Sequence, residues 1–395
     1  MTRIKMGDID KYLLTGATGF LGSHIMAGLL LKGKRVVIFG RSSDGLPLKE
    51  RIRKLLMWFG IENLEGLLEI HETDFLMKNL GLGKDEYEHL CRRGLPVIHC
   101  ASDTSFAEKN RERVMKSNVE NLTEILNFVS RSKCRWFHFI STAFAAGTGT
   151  TEFHEAPVIP ENFTNVYEES KAYAENIIIE SCNKNEVPYT IIRPSIVYGD
   201  SVNGRSLKFN ALYVPVRSTH VIRDIYLEDI RKNNGRKAAE YGIHLGIDGA
   251  LHLPMKIFIP DKGKINLIPV DYFTKTVLSI IENPIPGTFY HITSNNPENM
   301  ERLAIYTQRL LNITGIEVII GTPGSNETRN APEELFDHLI KPYMPYIADK
   351  RIFKRENTDR LTSNAYPPDL SYEIFEKCMA FAISADWGKK LFYSD

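Results

Sequence analysis

The stretch Tyr12-Leu-Leu-Thr15-Gly16-Ala-Thr-Gly19-Phe-Leu-Gly22 decides the fold. A short apolar run ends in three spaced glycines and passes into Phe20 to Leu31, which reads as a helix. A strand before and a helix after raise a glycine pattern above chance. Gly16 permits a tight turn, Gly19 lets backbone approach a pyrophosphate, and Gly22 lets helix and strand pack closely. The helix N-terminus then offers N–H groups and a positive dipole end to phosphate. The bland alternative is a glycine-rich βα turn that holds nothing.

Outward from this turn, the chain to about Gly199 alternates short apolar runs with longer amphipathic ones, the pattern of repeated βαβ units. Strands are predicted at Tyr12 to Thr15, Arg35 to Phe39, Leu67 to Ile70, Pro96 to His99, Trp136 to Ile140 and Tyr189 to Arg193. Helices are predicted at Phe20 to Leu31, Leu48 to Phe59, Glu108 to Ser130 and Tyr167 to Cys182. The expected fold is α/β, a Rossmann-type doubly wound parallel sheet with a smaller C-terminal substrate-binding or helical cap subdomain. Residues 1–200 form the nucleotide-binding part and 201–395 the rest, with 265–293 returning to the first core.

Beyond Gly199, prolines and glycines (Pro215, Gly235, Gly246, Pro254, Pro260) punctuate the chain and predict long, lid-like loops. Glu298 to Asp395 reads as helix-rich and aromatic, with Tyr343, Tyr346, Phe353, Phe375, Trp387, Phe392 and Tyr393.

Lys+Arg and Asp+Glu both number 49 in 395 residues, so the summed field gives no reason to expect nucleic acid. Cys91, Cys100, Cys134, Cys182 and Cys378 are scattered without metal or redox spacing, so no metal is expected and a reducing cytoplasm is. The first ten residues carry too many charges for a signal peptide, and no apolar run is long enough to span a bilayer.

The second strand ends in Phe39-Gly40-Arg41-Ser42-Ser43. An NAD-preferring site usually places an acid there for the ribose hydroxyls. Arg41 would instead meet a 2′-phosphate, with Ser42 and Ser43 as added donors and Arg51 as a second cation from the next helix, so NADP(H) is the expected cofactor. The same Arg41 also reads as a solvated surface arginine. Asp74 could accept from the adenine amine or cap a turn.

In Tyr167-Glu-Glu-Ser-Lys171, tyrosine and lysine lie one turn apart on a predicted helix. An ammonium there favours the phenolate and eases proton transfer. Alone the spacing is weak, since exposed Tyr/Lys helix pairs arise by accident. Its company raises it: Ser141 and Thr142 end a strand at the carboxyl edge where open α/β sheets place ligands. A hydroxyl there can hold a carbonyl oxygen as charge develops. Asn118, on the preceding helix, could tie a water near Lys171.

Together these motifs resemble the extended short-chain dehydrogenase/reductase family over roughly the first 295 residues, including His99-Cys-Ala-Ser102 and Arg193-Pro-Ser-Ile-Val-Tyr-Gly199. The resemblance implies a catalytic set of Thr142, Tyr167 and Lys171 with Asn118 assisting. Thr142 is selected over Ser141 because the family's hydroxyl lies five residues before a closing glycine, here Gly147. It implies a cofactor lined by Gly16, Thr18, Gly19, Phe20, Leu21, Gly22, Arg41, Ser42, Arg51, Asp74, Phe75, Ala101, Tyr167, Lys171, Pro194, Ile196 and Val197.

Within the family, nucleotide-sugar dehydratases follow the active-site Thr with Asp-Glu, whereas Thr142 is followed by Ala143-Phe144. Ser141-Thr-Ala-Phe144, Ile265-Asn-Leu-Ile-Pro-Val-Asp-Tyr272 and Gly287-Thr-Phe-Tyr-His-Ile-Thr293 are similar to thioester reductase domains and fatty acyl-CoA reductases. The resemblance implies NADPH reduction of a thioester through a hemithioacetal to an aldehyde, and by a second hydride to an alcohol. A sugar-nucleotide or sterol-type epimerase or dehydrogenase is the competing expectation, and a sensor that binds NADP without turnover is a third. No carrier or adenylation stretch is read in the chain, so the acyl group is expected on a separate carrier protein or coenzyme A, or else the substrate is a free aldehyde or ketone. Monomer and homodimer both remain open. Asp271 reads as a helix N-cap, Cys100 as a small core residue, and Pro342-Tyr-Met-Pro-Tyr346 followed by Arg351-Ile-Phe353 and Asn357-Thr358 as an aromatic, basic wall beside the substrate or as ordinary packing of a C-terminal helical subdomain.

Overall fold

In the computed structural model, residues 9–43, 45–62, 65–149, 151–159, 161–324 and 328–391 are described. The N-terminal residues 1–8, Phe392 and Tyr393 lie outside them. The chain divides into two compact units. The first takes the described residues of Met1–Ser195, Val270–Thr293 and Arg351–Pro367. The second takes those of Ile196–Pro269, Ser294–Lys350 and Pro368–Asp395. The limits differ from a cut at residue 200: 265–269 lies in the second unit, and 351–367 belongs to the first.

The first unit is built on a seven-stranded sheet in the order Thr288–Ile292, Tyr189–Pro194, Phe137–Ile140, Val97–His99, Lys11–Thr15, Arg35–Gly40, Leu68–Glu72. Every pairing in it is parallel. Central strands read as continuous apolar runs because helices cover both faces, and FHFI and YTIIRP are buried throughout. One core cluster joins Leu13, Val37, Phe39, Phe137, Phe139 and Ile191 with Ile125, Phe128 and Ile178 from the helices.

The predicted helix from Glu108 to Ser130 is interrupted. It runs as Glu108–Asn110, Arg111–Met115, a π-helical turn Lys116–Glu120 and Leu122–Arg131. Asn118 sits in that turn. π-Turns are rare and concentrate at functional sites. The helix Val270–Glu282 starts one residue before Asp271, so Asp271 lies in its first turn rather than at the N-cap.

In the second unit the punctuated region is more regular than expected. Tyr213–Asn233 is a 21-residue helix with Pro215 in its first turn, where a proline removes no helical hydrogen bond. Leu251–Ile259 is a strand with alternating burial, paired in parallel with Ile313–Ile320. Pro254 sits where the register shifts between His252 and Met255, the kind of irregularity that tolerates proline in a sheet. The helix Ala331–Ile340 opens with a capping box in which Asn330 and Glu333 exchange side-chain and backbone hydrogen bonds. Leu253, Ile257, Ile313, Phe336 and Phe375 belong to this unit's core.

Candidate active site

The glycine turn is shaped by close approach. Gly16 has φ +72°, and a β-carbon on it would lie 2.5 Å from the Ala101 nitrogen. A β-carbon on Gly22 would lie 2.1 Å from the Gly16 carbonyl oxygen. Any other residue at either place would push the helix Phe20–Leu31 off the strand end. Gly19 is the helix N-cap, and no side chain caps the helix there. Thr15 Oγ1 accepts from the backbone N–H groups of Cys100 (3.2 Å) and Ala101 (3.3 Å), holding Ala101 beside Gly16. The cradle that a side chain would fill, with an uncapped helix start, fits a dinucleotide pyrophosphate. Thr18, Phe20 and Leu21 lie in this turn and the first turn of the helix, all partly exposed.

At the second strand end, Arg41 and Ser42 are exposed. Arg51 donates to the Arg41 carbonyl at 3.0 Å. Ser42 Oγ donates to Glu72, and Leu48 N–H is shared between Ser42 Oγ (3.1 Å) and Glu72 Oε1 (3.2 Å). These two bonds hold the Glu72 carboxyl below the usual range, Ser42 contributing more. An acid from the third strand therefore already occupies Ser42, one of the donors expected to meet a 2′-phosphate, and local sequence gave no signal for that contact. Asp74 Oδ1 accepts from Leu76 N–H at 2.9 Å, capping a turn, and the Phe75 ring lies 6.2 Å from His99.

Tyr167 and Lys171 stand on the helix Val166–Lys184, capped by Asn165, which accepts from Glu168 N–H at 3.1 Å. Lys171 is 2% exposed. Its Nζ donates to the Ile140 carbonyl at 2.7 Å and lies 4.1 Å from the Phe139 ring centre. Burial lowers its pKa to about 8, opposed by Cys100 and Glu175. Burial also pushes the Tyr167 phenol above its ordinary value, Cys100 adding to the rise and a hydrogen bond with Thr142 opposing it. The Phe106 ring lies 5.9 Å from that of Tyr167. Thr142 is buried, and its Oγ1 accepts from Phe144 N–H at 3.4 Å at the start of the short turn Ala143–Ala146. Pro194, at the end of its strand, offers its carbonyl to Thr142 Oγ1 at 3.5 Å.

Ser141 points elsewhere. Its hydroxyl donates to Glu175, which also receives Arg193 Nε (3.0 Å) and Nη2 (2.7 Å) in a fully buried ion pair. Asn118 is saturated by protein. Its Oδ1 accepts from Asp103 N–H (2.7 Å) and Ser102 Oγ (3.1 Å), and its Nδ2 donates to the Asp103 carbonyl (2.8 Å) and Ser170 Oγ (2.9 Å). An amide with both donors and two acceptor sites used has little left for a water. It fastens the segment after the fourth strand to the helix of Tyr167. Cys100 is partly exposed rather than a core residue, and burial of its thiol, against Lys171, pushes its pKa up to about 12, which favours the thiol over the thiolate. Ile196 and Val197 fall in the second unit, on the strand Ile196–Tyr198.

The segment 351–358 is bound into the first unit. Ile352–Phe353 pairs with Glu152–Phe153. The Asn357 backbone and the Thr358 hydroxyl donate to Glu155, which also accepts from His291 N–H at 2.7 Å. Local sequence carried no signal for these contacts, because the partners are some two hundred residues apart.

The family model described as male sterility protein, an NAD-binding domain, matches residues 14–277, more than half of the chain. Nonribosomal peptide synthetase asaC of Aspergillus flavus is 24% identical over 306 residues, 73% of this chain and 26% of that protein. The large subunit of L-2-aminoadipate reductase from Candida glabrata is 29% identical over 216 residues, 49% of this chain and 16% of that protein. The chain thus spans about a quarter or less of the length of these relatives. Among solved structures, the terminal R domain of the myxalamid PKS-NRPS pathway superposes with TM-score 0.73 at 19% identity, over 98% of this chain and 93% of that one. UDP-glucuronic acid 4-epimerase from Bacillus cereus, in complex with NAD, superposes with TM-score 0.63 at 15% identity, over 96% and 98%. Both likenesses describe the fold. No helix among the described residues is long and apolar enough to cross a membrane. With its parallel sheet, its glycine cradle and the match over residues 14–277, the chain belongs to the male sterility protein family of NAD-binding domains, within the extended short-chain dehydrogenase/reductases, a family of NAD(P)-dependent oxidoreductases.

Proposed function

We propose that the chain is an NADPH-dependent reductase of acyl thioesters carried on a separate carrier protein or on coenzyme A. The observation that carries this reading is the hydroxyl pair of Thr142 and Tyr167 backed by buried Lys171, with buried Ala143 and Phe144 following Thr142. Two donors can converge on one carbonyl oxygen, and no carboxylate follows Thr142 to drive elimination. The likeness to synthetases, to a reductase subunit and to a thiolation-reductase di-domain supports a thioester as the substrate.

When bound, NADPH supplies the hydride. Gly16, Gly19, Gly22 and Ala101 would hold its phosphates and neighbouring sugar, and Arg41 the 2′-phosphate. Thr142 and Tyr167 donate to the thioester oxygen, and Tyr167 gives it a proton as the carbonyl carbon is reduced. Lys171 uses one of its three N–H donors on Ile140, leaving two to stabilise the phenolate and bind ribose hydroxyls. As the C–S bond breaks, the C=O double bond re-forms, Tyr167 recovers its proton, and the thiolate takes one from solvent. In balance, thioester, NADPH and a proton give aldehyde, thiol and NADP⁺.

The test is nicotinamide absorbance with purified protein, NADPH and either acyl-coenzyme A, an acyl carrier protein or UDP-sugars. Thiol release matching NADPH oxidation on a thioester is the expected result. Consumption on none of the thioesters would overturn the reading, and UDP-sugar turnover would favour the epimerase class.

A further inference from the structure

We propose that Arg351 is a positioning residue that fastens the turn after Thr142 to the first turn of the Tyr167 helix. This rests on the reading of Thr142 and Tyr167 as the hydroxyls that meet the substrate. Arg351 Nη1 donates to the Gly147 carbonyl at 3.1 Å and lies 3.5 Å from Glu168 Oε1. The two side chains are 5% and 0% exposed. The guanidinium lies over the Phe144 ring, 4.6 Å from its centre, and Phe144 meets Phe353 edge-on at 5.6 Å. Glu168 Oε2 in turn accepts from Thr164 N–H at 3.1 Å.

These three partners of Arg351 adjoin the reacting groups. Phe144 and Gly147 belong to the turn that Thr142 caps, and Glu168 follows Tyr167 directly. The arginine itself is held, because Ile352 N–H donates to the Thr151 carbonyl (2.7 Å) and Lys354 N–H to that of Phe153 (2.8 Å). A buried guanidinium brings no net stability over an apolar side chain of the same volume. What it adds is one nitrogen, Nη1, whose two N–H groups reach a carbonyl and a carboxylate from a guanidinium plane seated on the Phe144 ring. Small displacements of catalytic groups lower turnover steeply, so the bridge bears on rate more than on binding. The site in the first unit therefore depends on residues that follow the chain's passage through 294–350.

The test compares the full chain with Arg351→Lys, which keeps the charge but replaces the planar guanidinium on the Phe144 ring with a shorter ammonium, and with Arg351→Met/Glu168→Gln, which removes both buried charges together. The NADPH dissociation constant is read by nicotinamide fluorescence, and kcat and KM by thioester turnover. The expected result is an NADPH constant and thioester KM within about threefold of the parent, with kcat lower by about threefold in Arg351→Lys and about tenfold or more in the double variant. Parental kcat in a folded double variant overturns the proposal, as does a raised KM at unchanged kcat in Arg351→Lys. Arg351→Lys decides alone if the double variant does not fold. A parent inactive on thioesters defeats the proposed function instead, and the variant-to-parent ratio is then read on the carbonyl substrate the parent does turn over.

Discussion

Two strand ends of the same sheet, Ile140-Ser-Thr142 and Gly40-Arg-Ser42, both lie at the carboxyl edge of its parallel strands and differ in almost everything else. At the first, Ser141, Thr142 and Lys171 are buried, and the hydrogen-bond partners fix each group's direction. At the second, Arg41 and Ser42 are exposed, and Ser42 already has an acidic neighbour in Glu72. Buried polar groups lose heavily when a partner is removed, whereas water substitutes for partners at the surface. The first end thus ties residue identity to one role, and the second leaves it adjustable.

The sharpest attempt to break this contrast is Tyr167→Phe. Turnover should fall by about 10²–10⁴-fold, with NADPH affinity, measured by fluorescence titration, nearly unchanged. Substantial residual turnover would remove the first strand end from the chemistry. Next comes stability: Arg193→Met leaves Glu175 buried without its cation and should cost about 3–5 kcal/mol in urea unfolding, while Glu72→Gln at the exposed end should change it by no more than about 0.5 kcal/mol. Equal losses would show that burial is not the deciding variable.

A pH profile sharpens the contrast further. Because burial places Lys171 at about 8, its ammonium is present below that pH and lost above it. The reductive kcat/KM should therefore fall as pH rises through about 8, and Lys171→Arg should remove that limb. For stability the sign is opposite. The unfolded lysine, near 10.5, holds more protons between about 8 and 10.5, so Lys171 by itself makes stability rise with pH across that window. At the exposed end, Arg41→Ala should weaken NADPH by about tenfold and leave NADH unchanged, as read by competing titrations. The smallest effect is expected from Glu72→Gln, which removes a negative charge beside Ser42 and should tighten NADPH by about twofold. A loss of NADPH affinity there would reverse the role given to Glu72.

Legibility in the sequence followed the range of the interactions. The strands Lys11–Thr15, Arg35–Gly40, Phe137–Ile140 and Tyr189–Pro194 were readable because apolar runs between amphipathic stretches report a sheet covered on both faces. Tyr213–Asn233 was hidden by Pro215, since a proline in the first turn and one in a loop look alike until the helix is seen. The Asn330/Glu333 capping box was a local signal that could have been used. Ser141 and Thr142 are adjacent hydroxyls of similar chemistry, and the structure turns one to Glu175 and keeps the other beside Tyr167.

By itself, the sequence determined the sheet class, the glycine cradle and the Tyr167/Lys171 spacing, because each rests on geometry within one turn or one βα unit. Only the tertiary structure decided that Lys171 is buried against Ile140, that Asn118 is spent on Ser102, Asp103 and Ser170, that Glu72 reaches Ser42, and that Arg351 returns to Gly147 and Glu168. Those outcomes depend on which distant side chains share a low-dielectric space, and no local period or spacing encodes that.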